Sequence, residues 1–130
     1  MPPHTPYTEI LKHPPDFLVE YRIFNPEEGG RESGPPSQGI RWDFWYEHKD
    51  HTMKGIFMIW PEFIDDNGKV ILYKDKRVPL QGIANMWIIN EKLRKYHQDR
   101  ITVGTVGYCM EAINRTAICK VIKVVGLMTT

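Results

Sequence analysis

Two runs of alternating apolar and polar residues, separated by the turn-forming stretch Asn25-Pro26-Glu27-Glu28-Gly29-Gly30-Arg31, constrain the fold of this chain more than any other feature. In the first run Phe17, Val19, Tyr21 and Ile23 are apolar, while Glu20 and Arg22 interrupt the other face. A period of two places successive side chains on opposite faces of a strand, so this run predicts a half-buried strand. In the second run Trp42, Phe44 and Tyr46 alternate with Arg41, Asp43 and Trp45, which predicts a strand with an aromatic inner face and an outward Trp45. Gly29 and Gly30 close the first strand, because glycine reaches positive φ without a side-chain clash. Residues 32–39, rich in Ser, Gly and Pro, form the loop between the runs.

The same punctuation continues along the chain. A polar turn over 47–51 leads to a third strand over 52–60, which Pro61 stops. Asp65-Asp66-Asn67-Gly68 is a turn signal before a short strand, Val70-Ile71-Leu72. A strand over 83–89 follows Pro79-Leu80-Gln81-Gly82. Asn90 is a good N-cap, and Leu93 and Tyr96 lie three apart behind it, so a short helix over 91–97 is inserted between strands. Two strands over 104–112 and 115–125, joined at Ile113-Asn114, end the pattern. Pro2, Pro3, Pro6, Pro14 and Pro15 predict an extended tail over 1–15 with little hydrogen-bonded structure. The expectation is an all-β domain over 16–128, a closed six-stranded Greek-key-type barrel with a short helical insertion.

Composition narrows the function classes. The chain has 130 residues, of which 42% are apolar, enough for one core. A net charge of +1 exerts no global pull on nucleic acid or anionic membrane. No apolar run is long enough to span a bilayer, and residues 1–6 lack the charged and apolar regions of a secretory signal, so the expected setting is cytoplasmic. Cys109 and Cys119, the two cysteines, form neither a disulfide framework nor a zinc pattern and read as buried apolar residues. There is no Gly-x-x-x-x-Gly-Lys-Ser/Thr loop to cradle a nucleotide. No nucleophile sits in a recognisable elbow, so no enzyme activity and no cofactor are expected. His48 and His51 carry metal-ligand chemistry, but no third ligand is fixed by spacing and no metal is expected.

Three motifs carry a resemblance. Glu28-Gly29-Gly30-Arg31, Arg41-x-x-Phe44 and the pair Arg115-Thr116 resemble, in order and surroundings, the C-terminal (third) β-barrel domain of translation elongation factor Tu. The resemblance spans 17–127 and implies a binding module, since the factor's GTPase chemistry lies in another domain. Glu111, Ile113 and Asn114 stand where the family's turn that holds transfer RNA carries an arginine and two glycines. The implied module therefore works without that contact. Within the motif, Arg31 is expected to fix the loop through backbone carbonyls or Asp43.

For a partner surface the sequence offers the outward Trp45, the turn with His48 and His51, and the basic segment carrying Lys92, Arg94, Lys95 and Arg100. An outward tryptophan is a natural protein-interface anchor, or equally a surface for the N-terminal tail with its Tyr7 and prolines to cover. Basic residues beside Trp87 and Tyr96 suit RNA. The reading favours a protein partner, with RNA bound through 92–100 second, and a toxin-immunity or elongation-factor-mimic role third.

Overall fold

The structure, a computed structural model, describes residues 2–50 and 55–129. Its strands are β1 (Phe17–Ile23), β2 (Asp43–Tyr46), β3 (Ile59–Ile64), β4 (Gln81–Ile88), β5 (Val106–Glu111) and β6 (Asn114–Val124). They form one six-stranded sheet in the order β2-β5-β6-β1-β4-β3, and every neighbouring pair is antiparallel. The sheet curls until its edges, β2 and β3, approach each other. Among the described residues one bridge joins β2 to the segment just before β3, Phe44 with Phe57, whose backbone bonds measure 2.9 and 2.8 Å. The result is an open half-barrel.

The alternation read from the sequence sets the two faces. Phe17, Val19, Tyr21 and Ile23 of β1 point into the curl with Phe44 and Tyr46 of β2, Phe63 of β3 and Met86 of β4. Burying a large apolar side chain contributes about 1.5–3 kcal/mol, so this aromatic interior is the main source of stability. Cys109 and Cys119 lie in it as free thiols, Sγ to Sγ 3.8 Å. They sit diagonally on neighbouring strands, because Cys109 faces Ala117 and Cys119 faces Gly107. The hydrogen bond to Cys119, and then burial, push the Cys109 thiol well above its ordinary pKa.

The helical insertion forms as expected, a 3-10 turn Glu91–Leu93 running into α2 (Arg94–Gln98). Asn90 Oδ1 accepts from the Lys92 backbone N–H at 3.2 Å. Three other expectations about the strands need correction. Pro61 does not stop the third strand but lies inside β3 opposite Met86. An edge strand tolerates proline because one side of its ladder needs no partner. The first part of the strand expected over 52–60 lies outside the described residues. The expected strand 70–72 shrinks to one bridge, Ile64 with Val70. The β5–β6 turn falls at Ala112-Ile113, with Ala112 at φ 54°, one residue earlier than the pattern suggests.

The proline-rich segment differs most. Residues 7–11 form a short helix, α1 (Tyr7–Leu11). His4 is buried, so the segment is docked and not free. Its anchors are buried partners on β3 and β4 that no reading of residues 1–15 alone can reveal.

Candidate binding surface

The outward face is fixed by register. Trp45 of β2 pairs with Tyr108 of β5, Tyr108 with Ile118 of β6, Ile118 with Arg22 of β1, and Arg22 with Gln81 of β4. These side chains form a row across five strands. Beside it runs a parallel row of Val106, Lys120, Glu20 and Ile83. A groove of about 530 Å³ lies over this face, lined by Glu20, Arg22, Gln81, Ile83, Ile118 and Lys120.

One end of the row is aromatic and cationic. The rings of Trp45 and Tyr108 stack with centroids 6.0 Å apart, and Phe24 lies 6.5 Å from Tyr108. The Arg115 guanidinium stands 4.0 Å from the Tyr108 centroid and 5.6 Å from that of Trp45. A guanidinium over a ring face is held by the ring quadrupole and spends little entropy on binding a further group. Among the described residues neither Arg115 nor Lys120 has a carboxylate at ion-pair distance. Arg22 is held instead by Glu28, its Nη1 lying 3.0 Å from each carboxylate oxygen.

The Gly-Gly turn supports that end of the row. Asn25 Oδ1 accepts from the Glu28 N–H at 2.9 Å, and Glu28 Oε1 accepts from the Asn25 N–H at 3.1 Å, a reciprocal cap of the short turn Pro26–Glu28. Arg22, followed by the Asn25 N–H, holds the Glu28 carboxyl below its ordinary value. Gly29 then takes φ 91°. A Cβ on Gly30 would fall 2.1 Å from the Phe24 carbonyl oxygen, so chain and turn pack there without room for a side chain. Arg31 leaves the turn toward Glu111, Nε to Oε1 at 2.7 Å, and not toward Asp43. Glu111 also accepts from Trp42 Nε1 at 3.0 Å. Glu111 thus ties the loop to β5, a contact separated by eighty positions and invisible to local reading.

The remaining residues singled out from the sequence are scattered. Phe44 is in the core, and the Thr116 hydroxyl donates to the Cys109 carbonyl at 3.0 Å. Arg41 lies 5.0 Å from the Trp60 centroid. Arg94 turns inward, with Nε 2.8 Å and Nη2 2.7 Å from Oδ1 of Asp16, which is 0% exposed. Arg100 lies 3.8 Å from the Tyr96 centroid and 3.2 Å from Asp50 Oδ2. His48 Nδ1 accepts from the Asp50 N–H at 3.1 Å, so His48, Asp50 and Arg100 share one corner. His51 lies outside the described residues. Lys92 and Lys95 are exposed. The structure thus gathers Trp45 with Arg115 but leaves the 92–100 cations on separate duties. Tyr108 and Ile118 were not singled out, although their outward phase was legible; what places them beside Trp45 is cross-strand register.

The protein also holds a histidine–tyrosine pair of catalytic type. The Tyr46 hydroxyl lies 2.6 Å from His97 Nδ1, and burial raises the Tyr46 pKa. Both side chains are fully buried, beside Phe57 and Tyr96. Among the described residues no three metal-ligating side chains gather, and no helix is long and apolar enough to cross a membrane. No protein-family description, curated protein or solved structure matches this chain.

Proposed function

We propose that the chain is a non-catalytic binding module that takes a protein partner on the outward face of β2, β5, β6 and β1. The observation that carries this reading is the cluster of Trp45, Tyr108 and Arg115 at the end of the row. Trp, Tyr and Arg are the residue types in which interface energy concentrates, and here they adjoin a groove with an apolar floor and a charged rim. RNA bound through the 92–100 segment has less support, because Arg94 and Arg100 already serve Asp16 and Asp50. The likeness to the third domain of elongation factor Tu belongs to the same proposal, as do a cytoplasmic, translation-related setting and full closure of the barrel beyond Phe44 and Phe57.

The test is capture of partners on immobilised chain, with Tyr108→Ala and Trp45→Ala compared with a Lys92→Ala/Lys95→Ala double variant, each checked for folding. Truncating a buried interface aromatic costs about 2 kcal/mol or more, so the first two variants should lose the partner and the lysine variant keep it. Loss confined to the lysine variant, with nucleic acid in the captured material, would transfer the reading to RNA.

A further inference from the structure

Residues 2–15 form a strap over the outward face of β3 and β4, and the polar group at the centre of that face is completed only by the strap. Glu62 is 0% exposed. Its Oε1 accepts from the sheet, from Trp87 Nε1 at 3.1 Å and Asn85 Nδ2 at 3.3 Å. Its Oε2 accepts from the strap alone, from His4 Nε2 at 2.7 Å and the Tyr7 N–H at 2.9 Å. The rings of Tyr7 and His13 cover Trp87, with centroids 5.9 and 5.5 Å away.

This is the construction of a cover that comes off. Among the described residues, two backbone–backbone bonds join 2–15 to the body, His4 N–H to the Leu72 carbonyl at 2.8 Å and, at the strap's C-terminal root, Gly126 N–H to the Pro15 carbonyl at 2.7 Å. The segment's prolines donate none. The rest of the hold is made by side chains and by the Tyr7 N–H, which donates to the Glu62 carboxylate. A permanent seal over a sheet is made with apolar contacts, whereas contacts between separable units are more polar. When the strap lifts, Glu62 Oε2 meets water and no buried polar atom is stranded.

We propose that the face formed by Glu62, Asn85 and Trp87 is a peptide-binding site occupied in cis by the strap. Its competing occupant is a segment of a protein partner that carries an imidazole or cationic side chain three residues before an aromatic one. The strap defines that chemistry: a donor at the position of His4 reaches the carboxyl, and an aromatic at the position of Tyr7 meets the Trp87 ring. The strap therefore lowers the apparent affinity for the partner by the fraction of time the site is open. This surface is separate from the outward row of Trp45 and Tyr108, and its test does not depend on that row.

The probe is a fluorescein-labelled peptide with the sequence of residues 2–13, titrated by anisotropy onto the full chain. Binding to the His4→Ala/Tyr7→Ala variant should be roughly tenfold or more tighter than to wild type, since the tethered competitor is weakened. Adding Glu62→Gln, or giving the peptide alanine at its His and Tyr positions, should abolish that gain. A folded double variant that binds neither peptide, or both equally, overturns the proposal. So does a double variant that elutes as a dimer and loses peptide binding, which would make the occupant a second copy. Hydrogen exchange on the wild-type chain covers the case of a variant that does not fold. The His4 and Tyr7 amides should exchange roughly 100-fold faster than those of β4, because the strap opens on its own; equal protection overturns the proposal.

Discussion

Gly29 and Gly30 are neighbours held for different reasons, one by its dihedral and one by its surroundings. Gly29 sits at φ 91° with open space where a Cβ would go, so alanine there pays backbone strain of about 1 kcal/mol. Gly30 has no room, with the Phe24 carbonyl oxygen 2.1 Å from the ideal Cβ. Overpacking against backbone costs about 1–3 kcal/mol, so Gly30→Ala should destabilise more than Gly29→Ala in urea unfolding. Arg94 offers a sharper contrast. Removing it leaves the fully buried Asp16 with the Ile88 N–H at 2.8 Å but without its cation. Arg94→Ala should cost about 3 kcal/mol, whereas exposed Lys95→Ala should stay within about 0.5 kcal/mol. The need for glycine at this turn was legible, because turn chemistry is local. The fate of Arg94 was not, since Asp16 lies far away in the chain and charge alone does not tell a solvated arginine from a buried one.

At the scale of elements, the short turn Pro26–Glu28 makes the acid stability of the molecule partly local. Glu28 titrates below its ordinary value of 4.5 in the folded chain because Arg22, and then the Asn25 N–H, favour its charged form. Its contribution is complete above the unfolded value and is lost as pH falls through the folded one. Glu28→Gln should therefore flatten the decline in melting temperature below pH 4.5, with little effect at pH 7, as followed by circular dichroism. The helical insertion was legible from Asn90 and the Leu93–Tyr96 spacing. The extent of β3 was not, because whether proline ends a strand depends on whether that strand is an edge, which is a property of the sheet. For the same reason the proline-rich segment read as an extended tail with little hydrogen-bonded structure: its anchoring partners, Glu62 and Trp87, belong to other elements.

For the molecule as a whole, inward and outward faces were legible from alternation, while strand order was not. Alternation says which residues share a face, but Trp45, Tyr108, Ile118 and Arg22 become one row only through the order β2-β5-β6-β1. That order makes β6 indispensable, since it alone joins β1 to β5. A chain ended after residue 113 should show no cooperative thermal unfolding, and a cooperative transition in that fragment would contradict the topology. The central position of β1 also matters while the protein is being made. As the chain leaves the ribosome, β1 emerges first among the strands, yet one of its two neighbours is the last strand to appear. At about 5–20 residues per second, Phe17, Val19, Tyr21 and Ile23 wait several seconds for residues 114–124. Throughout that interval a nascent chain carries an aromatic strand with one side unpaired, the kind of segment that chaperones bind.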